Sequence, residues 1–264
     1  MRVQLGSAGS IVWENNGVMT AGQSAAKYGD RHAGVYDRIY GARFAPDAAV
    51  AALARAAGVG RVLELGVGTG RLAIPLARLG IPVDGIEASP AMIDKLRREP
   101  GGDRVAVFEV DLDGFQLPRR DYSVAVCAVS TLFMLPSAAA QARCLVSAAR
   151  HLRSGGRLFV EAFRPDPSRF DADGSRTEQR PTIDAVTHVV RSVHDATAQA
   201  IHITHELCTD DEQQSYEVTL TYASDTQLDA MATRAGLRLV DRWHDWSGAP
   251  ATEASTDPVS VYQR

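Results

Sequence analysis

Apolar and polar positions follow two different rhythms along the 264-residue chain, and the rhythm changes near residue 164. Between 62 and 163, short apolar runs alternate with stretches whose apolar residues recur every three or four positions. This predicts buried strands separated by amphipathic helices. The strands fall at 62–65, at a run ending on Glu87, at 105–110, 122–129 and 157–163. One helix runs through Leu72, Leu76 and Leu79. A second carries Met92, Ile93 and Leu96, with Ser89 as N-cap and Pro90 as its first residue. A third opens at Pro136 and is closed by Ser154, Gly155 and Gly156. Strands and helices alternating at this spacing build a parallel sheet covered on both faces. Upstream, helical spacing begins at Ala25, and a second helix over 48–57 ends at Gly58. Downstream, a polar connector at 165–180 precedes three stretches of period-two alternation, at 185–193, 200–207 and 215–222. They predict an antiparallel sheet inserted as a cap. A helix at 226–235 and strands at 237–243 and 259–263 follow. Residues 1–24 are rich in Gly, Ser and Asn without periodicity and read as a mobile arm, with Met19 as an alternative start. The expected organisation is therefore an arm (1–24), N-terminal helices and α/β core (25–163), a β cap (164–223), and a C-terminal helix with edge strands (224–264).

Composition narrows the partners. A formal charge of −4 gives no electrostatic footprint for a phosphate backbone, which disfavours nucleic acid. Cys127, Cys144 and Cys208 are scattered and odd in number, so neither a disulfide framework nor a metal site is expected. No apolar run is long enough to span a bilayer, and the expected compartment is the cytoplasm. Nothing in the sequence fixes the oligomeric state, and a homodimer is admitted.

The chemistry concentrates between Val62 and Glu87. A strand breaks into a loop with glycine at 66, 68 and 70, then a helix starts. Glycines let the backbone turn tightly and approach a ligand, and the helix start points free N–H groups at it. That implies a nucleotide-like ligand. A dinucleotide fingerprint needs Gly or Ala at the sixth place, which here is Arg71, so NAD or FAD matches poorly. The stretch instead resembles the first motif of class I S-adenosylmethionine-dependent methyltransferases, E-x-G-x-G-x-G, with Glu64 two places before Gly66. The resemblance covers roughly Tyr36 onward. It implies a Rossmann-like methyltransferase sheet with helices on both faces, an inserted antiparallel β cap, and the last two strands forming an antiparallel edge.

Carried over position by position, the resemblance implies that Glu64, Gly66, Gly68 and Gly70 cradle the methionine part of S-adenosyl-L-methionine. Glu87 would accept both ribose hydroxyls, as a carboxylate suits. Ala88 and Met92 would flank the adenine side, Asp111 with the Leu112 backbone would take the adenine amino group, and Val129 would complete the site. Val110 stands where relatives often carry glycine. Tyr36 and Tyr40 sit in a Y-D-R-I-Y stretch like the N-terminal helix of small-molecule N-methyltransferases, including those acting on amino sugars. There Tyr36 would help cover the cofactor; ordinary helix packing explains both tyrosines as well.

On the acceptor side the candidates are Glu161, at the end of the fifth strand, and His205 and Tyr222 in the cap. Ile201, Ile203, His205 and Leu207 share one strand face, while His202, Thr204 and Glu206 share the other. Opposite faces make a metal shared by His202 and His205 untenable. His205 has two open readings, a hydrogen-bonded core histidine and a catalytic group; Tyr222 has the same two. After the fourth strand the chain reads C-A-V-S-T-L-F, without the prolines and aromatic residue that clamp a flipped base. The resemblance implies methyl transfer to an amine of a small molecule or short peptide, in specialised-metabolite (antibiotic) biosynthesis, with nitrogen preferred on the likeness of the Y-D-R-I-Y stretch. O-methylation, an NAD-dependent oxidoreductase and a non-catalytic cofactor-binding module are the alternatives.

Overall fold

A computed structural model of the protein describes residues 26, 29, 30, 33, 46–183, 186–208 and 213–264. The expected arm and the segment with Tyr36 and Tyr40 lie outside these residues. Helix α1 (Asp47–Ala57) leads into the alternating unit: β1 (Val62–Leu65), α2 (Ala73–Arg78), β2 (Val83–Glu87), α3 (Pro90–Arg98), β3 (Val105–Glu109), β4 (Tyr122–Cys127), α4 (Ala138–His151) and β5 (Leu152–Glu161). Then come β6 (Ser175–Ile183), β7 (Val186–Asp195), β8 (Ala200–Cys208), β9 (Gln213–Thr221), α5 (Asp225–Arg234), β10 (Arg238–Trp243) and β11 (Val259–Gln263).

The main sheet has the order β10-β11-β5-β4-β1-β2-β3. Strands β1 to β5 run parallel, and β10 and β11 form the antiparallel edge. Strand alternation splits the core into two layers. Val62 packs with α1 and α2, among Leu53, Leu72 and Leu76, while Leu63 and Leu65 face the opposite layer with Cys144 and Leu145 of α4 and Met231 of α5. The chain leaves β1 toward β2 on one side and returns as β4 on the other, so the sheet reverses order between β1 and β4. In open α/β sheets the crevice at that reversal, outside the carboxyl ends of the strands, is where ligands bind.

Local chemistry explains where several elements end. Ser89 caps α3 by accepting from Met92 N–H at 3.2 Å, with Pro90 as the first helical residue. Ser224 and Gln227 form a capping box on α5. Five expectations need correction. Helix α2 stops at Arg78 and leaves Leu79 63% exposed, because Gly80 (φ 82°) turns the chain immediately afterwards. Helix α4 starts at Ala138 rather than Pro136, since Ser137 supplies the N-cap oxygen to Ala140 N–H. Strand β4 ends at Cys127, because Val129 and Ser130 take left-handed backbone (φ 51° and 57°), and β5 begins at Leu152. Finally, the cap is a four-stranded antiparallel sheet, β6-β7-β8-β9, whose first strand comes out of the stretch read as a connector.

Candidate active site

The glycine loop leaves β1 and turns back over β2, with Gly66 and Val67 N–H both donating to Ile86 O at 2.9 and 2.8 Å. Gly68 sits at φ 52° with open space where a Cβ would stand, and it borders a cavity of about 640 Å³. Gly70 has a different task. At φ 91° it does not line the cavity, and a Cβ there would lie 2.7 Å from Ile74 and 3.2 Å from Leu96. It is the contact that lets α2 and α3 close against the loop.

Glu87 ends β2 with its carboxylate held by three backbone donors, Gly68 N–H at 3.0 Å on Oε2 and Ala88 and Ser89 N–H at 2.9 Å on Oε1. Burial raises its pKa above the ordinary carboxylate value, and those N–H groups oppose the rise. Two carboxylate oxygens offer about four acceptor positions, so with three taken Oε2 retains one for a donor from the cavity. Ser89 also donates to Asp30 at 2.7 Å, which ties the N-terminal segment to this corner and brings Gly29 to the cavity wall. Nothing in the sequence pattern marked Gly29 or Asp30. Met92, Ala88, Asp111 and Leu112 line the same end, and Asp111 Oδ1 accepts Asp113 N–H at 2.7 Å, which fixes the turn after β3.

Glu64 lies beneath the loop and outside the cavity lining, buried in β1. Burial pushes its pKa up to about 8, and Arg71 pulls it back. Its Oε2 has no hydrogen-bond partner, an orphaned buried polar atom beneath the loop.

Across the sheet reversal, Val129 and Glu161 act together. The N–H of Val129, in its left-handed turn, donates to Glu161 Oε2 at 2.7 Å, while Trp246 Nε1 donates to Oε1 at 2.8 Å. Burial raises the Glu161 pKa as well. Both Glu161 and Val129 border the cavity. Sequence reasoning missed Trp246, which stands 85 positions from its partner.

The cap forms the other wall. His205 borders the cavity with Ile201 and Ile203, as the shared strand face implied, while Leu207 is buried outside the lining. His205 Nδ1 meets His188 Nε2 at 2.9 Å, and its ring stacks on Tyr216 at 4.6 Å. Tyr222 is a correction. It is not among the lining residues, its hydroxyl pairs with His194 Nε2 at 2.8 Å, and its ring packs edge-on to Phe163. It is a packing residue between cap and core. Unforeseen liners come from β6 and the segment before it: Arg169, Arg176, Glu178 and Arg180. Among the described residues no group of His, Cys, Asp and Glu could hold a metal ion, and no helix is long and apolar enough to cross a membrane.

One cavity thus joins the carboxyl ends of β1, β2 and β3 to the underside of the cap. Comparison with known proteins agrees with this architecture. A family model described as Methyltransferase domain matches residues 62–156. The solved structure of the CcbJ methyltransferase from Streptomyces caelestis is 36% identical, over 90% of this chain and 98% of that one, with a TM-score of 0.82. An S-adenosylmethionine-dependent methyltransferase from Clostridium acetobutylicum shares the fold at 12% identity, over 88% and 97% of the two chains, with a TM-score of 0.74. Cypemycin N-terminal methyltransferase from a Streptomyces species is 26% identical over 208 residues, 77% of this chain and 82% of that protein. The oxidoreductase and non-catalytic alternatives fall with these matches. The chain belongs to the class I S-adenosylmethionine-dependent methyltransferases, and its cofactor is S-adenosylmethionine.

Proposed function

We propose that the enzyme methylates an amine on a small molecule or short peptide, in the biosynthesis of a specialised metabolite. The observation that carries this is the single cavity running from the Gly66 to Gly68 loop, Glu87 and Asp111 to the apolar and polar underside of the cap. One end has the groups for the cofactor, and the other has room for an acceptor. The preference for nitrogen rests on the likeness to cypemycin N-terminal methyltransferase.

The residues fit the cofactor by their own chemistry. Glu87 takes a ribose hydroxyl on Oε2, its remaining acceptor position, with the second hydroxyl sharing the same carboxylate edge. Gly66 and Gly68 line the methionine end, Glu64 lies beneath their loop with its orphaned oxygen, and Gly70 keeps the loop closed on its helices. Ala88 and Met92 cover the adenine, Asp111 and Leu112 meet its edge, and Val129, fixed by Glu161, bounds the far side. Tyr36 keeps its proposed part as a cover over the cofactor. When bound, the cofactor supplies an electrophilic methyl group on a sulfonium. The protein's work is then to hold a neutral amine in line and exclude water, and oriented proximity alone is worth up to about 7–11 kcal/mol. A neutral amine attacks without a general base, so His205 acts by contacting the acceptor and Glu161 by positioning the Val129 turn. Residues 164–223 form the acceptor-binding cap, inserted between core segments 25–163 and 224–264.

The test is a panel of peptides with free N-termini, amino sugars and phenols, each given cofactor carrying a ¹³C-methyl group. The expected product shows the methyl resonance of an N–CH₃. Transfer only to hydroxyl oxygen would overturn the amine assignment.

A further inference from the structure

Two cross-strand pairs of the cap border the cavity together. Ile201 stands opposite Leu220 and Ile203 opposite Val218, on one face of β8 and β9, and all four are among the lining residues. Ile201 and Val218 are buried, whereas Ile203 and Leu220 are only partly so. From the core, Phe163 and Phe170 border the same cavity and are likewise partly buried. Their rings are held by neighbours. Phe163 lies edge-on to Phe133 at 5.2 Å and to Tyr222 at 6.3 Å, and Phe170 meets the His194 ring at 5.1 Å. An apolar wall fixed in advance has little side-chain freedom left to lose when a ligand arrives.

Charged and polar groups on the cap side of the cavity are already engaged within the fold. Arg164 donates to Asp225 at 2.6 and 3.1 Å and to the Thr252 and Ser255 carbonyls. Asp166 accepts from both the N–H and the hydroxyl of Ser168. Arg176 and Glu178 pair at 3.1 Å, Arg180 lies 3.6 Å from the same carboxylate, and His205 meets His188 at 2.9 Å. The apolar side chains differ, because contact with water at the cavity is a cost that an apolar ligand group removes. Phe163 comes two residues after Glu161, whose carboxylate fixes the Val129 turn, and its N–H donates to Ser130 Oγ at 3.0 Å. The apolar wall therefore begins where the cofactor end of the cavity stops, and the group that reaches it is the methyl acceptor.

We propose that the acceptor carries an apolar chain of several carbons beside its amine, and that Ile203 and Leu220, with Phe163 and Phe170, form the subsite that selects it. This rests on the reading of the cavity as an acceptor site under the cap, and names the acceptor's chemistry.

The test is a chain-length comparison by calorimetry on the intact protein with saturating S-adenosylhomocysteine. The probes are n-hexylamine and n-propylamine, with n-hexanol and n-propanol as a pair lacking the amine. Three further methylenes taken out of water should make the longer member of each pair bind about tenfold tighter or better. Ile203→Ala and Leu220→Ala should each cut that ratio about threefold or more, with S-adenosylhomocysteine affinity unchanged. Leu220→Met, which keeps the volume, should preserve the ratio, and it separates the subsite from a general loss of cap packing. Equal binding of long and short probes, no binding of any, or a ratio that survives both alanine variants would overturn the subsite. The chain-length ratio seen with both pairs, together with methyl transfer only to oxygen, would strike the amine assignment and leave the subsite standing.

Discussion

Trp246 Nε1 donates to Glu161 Oε1 at 2.8 Å, and this bond latches the loop between β10 and β11 onto the carboxyl end of β5. The same carboxylate holds the Val129 turn through its other oxygen. Trp246→Phe keeps most of the ring packing against Phe159 but strands one oxygen of a largely buried carboxylate. The expected cost is about 1–3 kcal/mol in urea unfolding, with the fold retained. A variant as stable as wild type would show that Glu161 holds its turn without the latch.

Gly68 and Gly70 belong to one motif but should fail in different ways. Gly68→Ala meets no atom within 4 Å, so it costs only the left-handed backbone, about 1–2 kcal/mol, and its methyl enters the cavity. It should fold and bind S-adenosylhomocysteine more weakly. Gly70→Ala adds overpacking against Ile74 and Leu96 to the same backbone strain, for about 2–5 kcal/mol in all. Thermal melting and calorimetry on the two variants separate the effects. Equal melting points would sink the distinction.

Glu64 makes the cofactor-free protein pH-sensitive. Its folded pKa of about 8 lies above the ordinary value of 4.5, so between these the folded chain holds a proton that the unfolded chain has lost. Stability from this group is full below about 4.5 and declines as pH rises through about 8. Glu87 and Glu161, also raised by burial, add to the same slope. Glu64→Gln cannot ionise, so its melting temperature should fall less than that of wild type between about pH 5 and pH 8.5. Parallel curves would show that Glu64 does not titrate in that window.

Tyr222→Phe should cost little beyond its hydrogen bond to His194, about 0.5–1.5 kcal/mol, and leave S-adenosylhomocysteine binding unchanged. A tenfold loss of that binding would return Tyr222 to the site.

The alternation of strands and helices was legible because buried parallel strands and amphipathic helices leave distinct periods. Residues such as Glu87 and the 259–263 strand fell where their neighbours' patterns ended. Strand β6 was not legible, since Arg176, Glu178 and Arg180 put charge on its cavity face and erase the apolar alternation that marks a strand. The left-handed turn at Val129 and Ser130 carries no glycine to announce it. The Glu161–Trp246 latch and the His188–His205 pair join residues far apart in sequence, and only the folded sheets bring them together. The cofactor side of the site was therefore readable from one local motif and the strand ends, whereas the acceptor side depends on cross-strand register.

Calorimetric titration of S-adenosylhomocysteine into wild-type protein and Glu87→Ala tests the central claim most directly, namely that the carboxyl edge of the sheet holds the cofactor through Glu87. A hydrogen bond to a charged group is worth about 1.5–3 kcal/mol, so losing even the one at the open position of Oε2 should weaken binding about tenfold or more. Wild type should bind and the variant, still folded by circular dichroism, should bind that much more weakly. Undiminished affinity in Glu87→Ala would contradict the account.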